Sequence, residues 1–134
     1  YLDTLYEHKN NEKEKMKIAN KVLFVDTDAI VTYYCYLLTY KDTNEFDKEY
    51  EQLAKLIGKQ NKYDACIFLE PDVKWVQDDI RINGDEKVRW EYNALLKKLF
   101  DEVGIKYIVV NGDYQNRYKE AKKIVDTLIG NVKY

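Results

Sequence analysis

Lys21 to Asp28 read K-V-L-F-V-D-T-D: four apolar residues, Val22 to Val25, run straight into Asp26 and Asp28 on either side of Thr27. The pattern predicts a dry strand with a wet, acidic C-terminal tip. Ligands of open parallel sheets bind just outside such tips, and nucleotide-handling α/β proteins present a metal-binding aspartate in this way. The phosphate-cradling loop G-x-x-x-x-G-K-[ST] that normally accompanies it is absent. Gly58-Lys59 comes nearest, with Leu53 in place of the first glycine and Gln60 in place of the hydroxyl residue. Half of a phosphoryl-transfer site is legible, and half is not.

Outward from this strand, the periodicity predicts alternating helices and strands. Tyr1 to Asn20 is polar and helical, with Leu2, Leu5 and Tyr6 on one side. Asp28 can cap a helix from Ala29 to Tyr40 by accepting from its first-turn amides, with Ile30, Val31, Tyr34, Leu37 and Leu38 buried. A second helix, Glu45 to Asn61, sets Phe46, Tyr50, Leu53, Leu56 and Ile57 at core-facing spacing. Tyr63 to Glu70 reads as the next strand, again ending in an acid, and Pro71 turns the chain out of the sheet. A short helix over Lys74 to Ile82 and a turn at Asn83-Gly84-Asp85 follow. Glu86 to Val103 is a long amphipathic helix stopped by Gly104. Ile105 to Val110 is the third strand, and Tyr114 to Ile129 the last helix. Such alternation is that of a parallel sheet with crossovers, here one α/β unit over residues 1–134.

Bulk composition narrows the function classes. The apolar and charged fractions, 46% and 34%, suit a well-solvated globular domain. A net charge of -2 with scattered basic residues predicts no direct nucleic-acid binding and no anionic-membrane attraction. No apolar run reaches the roughly 18 residues of a membrane span, and no signal peptide is visible. Cys35 and Cys66 lie in apolar runs and read as buried reduced thiols. With the single His8 they are too few for a zinc site. The sequence contains no serine, which excludes a serine nucleophile, and its 13 tyrosines read as compositional bias.

Three segments can carry chemistry, each beside a plainer reading. Asp26 and Asp28 suit Mg²⁺ or ribose hydroxyls; alternatively Asp28 only caps a helix and Asp26 fills a turn. Trp75 to Arg89 (W-V-Q-D-D-I-R-I-N-G-D-E-K-V-R) sets an indole, paired carboxylates and two arginines around a glycine turn. Arg81 and Arg89 suit phosphate recognition, and Trp75 suits stacking on a flat ring. The plainer reading is a solvated helix with pairs such as Asp78–Arg81. Asn111 to Arg117 (N-G-D-Y-Q-N-R) follows the last strand, beside the base in nucleotide-binding sheets, or is an ordinary turn capped by Asp113. His8 carries no expected chemistry.

Taken together, these segments resemble the ribosylnicotinamide kinase domain of the bacterial NadR family. The resemblance rests on F-V-D-T-D-A-I-V-T (Phe24 to Thr32), Y-D-A-C-I-F-L (Tyr63 to Leu69), W-V-Q-D-D-I-R (Trp75 to Arg81), L-L-K-K-L-F-D (Leu95 to Asp101) and Y-Q-N-R-Y (Tyr114 to Tyr118), in order across nearly the whole chain. It implies a three-layer parallel sheet of the P-loop kinase type, incomplete here, because the P-loop, its lysine and the first strand are expected before Tyr1. It implies ATP-dependent phosphorylation of nicotinamide riboside in cytoplasmic NAD salvage, with ATP and Mg²⁺, and no such activity from residues 1–134 alone. Asp26 is then the Walker-B-like metal acid, and Asp28 a ribose contact or base. Trp75, Asp78 and Asp79 line the riboside pocket. Arg81 and Arg89 are lid arginines, Arg81 catalytic among them, and Tyr114 and Arg117 lie near adenine. Expected partners are the remainder of the kinase domain, an adenylyltransferase domain and a second copy of the chain. A non-catalytic NAD- or nucleotide-sensing module of a transcriptional regulator is the alternative.

Overall fold

The computed structural model describes residues 1–74 and 85–131. Its elements, in chain order, are α1 (Leu2–Ile18), α2 (Ala29–Tyr40), α3 (Lys48–Gln60), β1 (Ile67–Leu69), α4 (Glu86–Val103), β2 (Ile108–Val110) and α5 (Tyr114–Asn131). They divide between two compact units: Tyr1–Lys62 with Glu102–Ile105, and Tyr63–Asp101 with Lys106–Tyr134. The helix expected over Lys74 to Ile82 falls almost wholly outside the described residues.

The first unit is helical. Asp28, extended and buried, caps α2 by accepting from the amides of Ile30 (3.0 Å) and Val31 (2.9 Å). Asp47 does the same for α3. Each cap satisfies two of the amides that a helix start leaves without partners. α2 packs on α3, and α1 on α2. The core contains Leu5, Ile30, Tyr33, Tyr36, Leu37, Tyr50, Ala54, Ile57 and Val103. His8 Nδ1 meets Thr32 Oγ1 at 2.9 Å, and Lys9 Nζ donates to Asn61 Oδ1, so α1 is pinned at two polar points. The buried stripe of α3 runs through Ala54 and Gly58, whereas Leu56 is exposed. Gly58 explains the rotation: a Cβ there would lie 2.3 Å from Ile30 Cδ1 and 2.7 Å from Cγ1.

The strand expected over Val22–Val25 does not form. β structure is stabilised by the ladder its neighbours provide, and the sheet of the described residues has only β1 and β2. Phe24 is accordingly 74% exposed, with Val22 and Val25 also open. β1 and β2 are each shorter than the sequence suggests. They run parallel, with Ile67, Phe68 and Leu69 opposite Ile108, Val109 and Val110. The connection through α4 is therefore the expected crossover. The described chain is a helix-rich α/β structure. In the second unit Phe68 meets Phe100 edge to face at 5.9 Å, and Tyr107 closes the cluster. Ile105, expected in the third strand, is instead buried in the first unit. Neither cysteine is in a disulfide; Cys35 is exposed and Cys66 half-buried, which corrects the expected burial of both.

Gly58→Ala destabilises the first unit by about 1–3 kcal/mol through overpacking, although alanine favours helix. Ile30→Val removes the clashing methyl, so the double variant loses less than the sum of the singles by urea titration. Tyr50 offers a contrast with Tyr33. The buried Tyr50 hydroxyl has no hydrogen-bond partner among the described residues, and burial pushes its pKa up to about 12. The Tyr33 hydroxyl donates to Glu51 Oε2 at 2.6 Å. Tyr50→Phe is neutral or stabilising in the same titration, while Tyr33→Phe costs about 1 kcal/mol.

Candidate functional site

The two parallel strands of the second unit end side by side, and the residues beyond them are held in a closed polar ring. β1 runs through Glu70, whose amide donates to the Val110 carbonyl at 3.0 Å, into Pro71 and Asp72. β2 runs into Asn111-Gly112-Asp113. Gly112 has φ +91°, a left-handed conformation that only glycine adopts readily. Any Cβ there would also meet the Asn116 side chain at 2.9 Å. Asp113 Oδ1 caps α5 by accepting from the Asn116 amide at 2.8 Å.

Asp72 and Arg117 join the two exits. Asp72 Oδ2 accepts from the Gly112 amide at 2.7 Å, and Oδ1 pairs with Arg117 Nη2. Arg117 Nη2 also donates to the Glu70 carbonyl (2.5 Å), and Nε donates to the Gly112 carbonyl (2.8 Å). The Gly112 amide first, then the Arg117 guanidinium, hold the Asp72 carboxyl below the usual carboxylate range. Beneath this ring the buried Glu70 carboxylate accepts from Asn93 Nδ2 at 3.0 Å and pairs with Lys97. Lys97 Nζ in turn lies 5.4 Å from the centre of the Phe68 ring. A buried carboxylate so paired is structural first, because removing either partner leaves an uncompensated charge.

In the first unit Asp26 is exposed, whereas Asp28 is buried and engaged at the start of α2. In the second unit Arg89 Nη2 donates to the Val73 carbonyl at 3.0 Å, Tyr114 is 73% exposed, and Arg117 sits in the ring above. Trp75, Asp78, Asp79 and Arg81 lie outside the described residues. Sequence reasoning passed over Asp72, Lys97 and Asn93. The signal for Asp72 was present: an acid just after the proline that turns the chain out of a strand. Among the described residues no group of three or more His, Cys, Asp or Glu could hold a metal ion. Mg²⁺ needs fewer, since one or two carboxylates together with phosphate oxygens and water suffice. The exposed Asp26 fits that role.

Residues 2–117 match the family model described as AAA domain. The chain belongs to the AAA domain family. It is also similar to two curated proteins named "Trifunctional NAD biosynthesis/regulator protein NadR". That of Escherichia coli K12 is 29% identical over 120 residues, and that of Salmonella typhimurium LT2 is 28% identical over 120. Each alignment covers 86% of this chain and 27% of the relative, so the chain spans about a quarter of their length. No solved structure gives a significant match. The AAA domain chain is thus NadR-related, as the sequence segments suggested. No helix among its described residues is long and apolar enough to cross a membrane.

The ring makes acid sensitivity predictable in sign. Because the folded Asp72 carboxyl ionises more readily than its unfolded counterpart, it adds stability above about pH 4. That contribution fades as pH falls through the lower folded value. Urea midpoints of wild type and Asp72→Asn therefore differ at pH 7 and converge as the pH is taken below about 4.

Proposed function

We propose that this AAA domain chain is part of a kinase that transfers the γ-phosphoryl group of ATP to nicotinamide riboside, giving the mononucleotide and ADP. The supporting observation is its similarity to the NadR proteins across 86% of its length. AAA domain membership supports nucleotide binding. On this reading the complete domain is a three-layer parallel sheet of the P-loop kinase type, and strand pairing for Val22–Val25 comes from chain beyond these residues.

In the transfer, the 5′-hydroxyl oxygen bonds to the γ-phosphorus as the bond to the β–γ bridging oxygen breaks. The electron pair leaves with ADP, and the hydroxyl proton passes to a carboxylate. Asp28 is the proposed ribose contact and proton acceptor, and Asp26 the metal acid. Mg²⁺, when bound, offsets charge on the phosphate oxygens. Trp75, Asp78 and Asp79 are assigned to the cationic riboside, Arg81 and Arg89 to the phosphates, and Tyr114 and Arg117 to the adenine end. Such chemistry asks mainly for positioning and charge stabilisation. The remainder of the kinase domain, an adenylyltransferase domain and a second copy are the proposed partners, in the cytoplasm.

The test uses the full polypeptide that contains this chain, with ATP, Mg²⁺ and nicotinamide riboside, and follows mononucleotide by mass spectrometry. Turnover is expected, with Asp26→Asn lowering kcat at least about tenfold and Trp75→Ala raising the riboside KM by a similar factor. Tight calorimetric NAD binding without product would replace this reading with a non-catalytic sensing module.

A further inference from the structure

Arg117 is held with unusual completeness for a residue assigned to ligand binding. Its side chain is 13% exposed, and three acceptors engage Nε and Nη2: the carbonyls of Glu70 and Gly112 and the Asp72 carboxylate. A guanidinium has five N–H donors in a rigid fork. The three on Nε and Nη2 are engaged, and the two on Nη1 have no acceptor among the described residues. Asp72 is the one charged partner in this arrangement, and its second oxygen fixes the Gly112 amide. One carboxylate therefore completes the set of acceptors that fixes the guanidinium and at the same time ties down the loop before α5.

We propose that Asp72 is a positioning residue for adenine-nucleotide binding: it holds Arg117 so that Nη1 alone is presented to a nucleotide acceptor atom, and it sets the Gly112 loop beside it. The proposal rests on the nucleotide-binding reading above and deepens it. Asp72 itself touches no substrate. Its oxygens are directed at Arg117 and Gly112, and its influence passes through the fork whose geometry a lysine cannot reproduce. A guanidinium tethered at only its two carbonyl acceptors would keep its charge but lose its one charged contact and with it part of its orientation, and hydrogen bonds with misdirected donors weaken steeply.

Steady-state kinetics and ATP calorimetry on the full polypeptide test this, with urea midpoints and Gly112 amide exchange as controls for folding. Asp72→Ala speeds Gly112 exchange and raises the ATP KM and Kd about tenfold, while the riboside KM and kcat stay within about twofold. Asp72→Asn, which keeps the shape and one acceptor, falls between Ala and wild type and serves if the Ala variant does not fold. In an Arg117→Lys background, Asp72→Ala adds nothing further, because its effect runs through the fork. An unchanged ATP KM in Asp72→Ala, or an equal further loss in the Arg117→Lys background, overturns the proposal while wild-type turnover leaves the kinase reading intact. So does a joint collapse of kcat and both KM values, which marks Asp72 as merely structural. A wild type that neither binds ATP nor turns over sinks the kinase reading and this inference with it.

Discussion

The exits of the two parallel strands in the second unit are joined through a single guanidinium. Two short parallel strands have little ladder to hold them, and each ends where the chain must turn away. Arg117 answers that constraint from the first turns of α5, donating to the backbone just beyond both strands and pairing with the acid that follows Pro71. A mostly buried positive charge is tolerable only because carbonyls and a carboxylate surround it. The same arrangement fixes Gly112 in a left-handed conformation and brings the start of α5 against the end of β1. Loosening it would release the two exits, where ligands of parallel sheets are met.

The chain carries four acids at the ends of its apolar segments, and burial and hydrogen bonding give them different tasks. Asp28 holds the start of α2, and Glu70 is buried between Asn93 and Lys97. Asp72 ties two loops together. Asp26 alone of the four is exposed with no hydrogen bond or ion pair among the described residues, which makes it the one best suited to a hydrated cation. Residue type was the same in each case or nearly so; the surroundings set the chemistry. The AAA domain relationship and the likeness to NadR proteins supply the reason to read these acids in terms of nucleotides.

Much of the helical structure was legible because its signals are local. Asp28 announces a helix start, Gly104 announces a stop, and α2 and α4 have the bounds their periodicity suggests, whereas α3 begins at Lys48 behind its Asp47 cap and not at Glu45. The strands were less legible, since β structure is a property of pairs. Val22–Val25 has every local mark of a strand and no ladder among the described residues, while Tyr63–Glu70 and Ile105–Val110 pair over three residues each. The face of α3 was misjudged by one step for a similar reason. Periodicity cannot say that Ile30 enters the gap left by a missing Cβ at Gly58.

For the candidate site, the amino-acid sequence by itself determined the inventory: acids after apolar segments, arginines near turns, and the order of segments that marks a NadR relative. Those features are covalent and read in one dimension. Only the tertiary structure decided that Arg117 is gripped by Asp72, forty-five residues away in sequence, and that Glu70 is sealed in with Lys97. Hydrogen-bond geometry and burial arise when distant segments meet, and no local pattern encodes them.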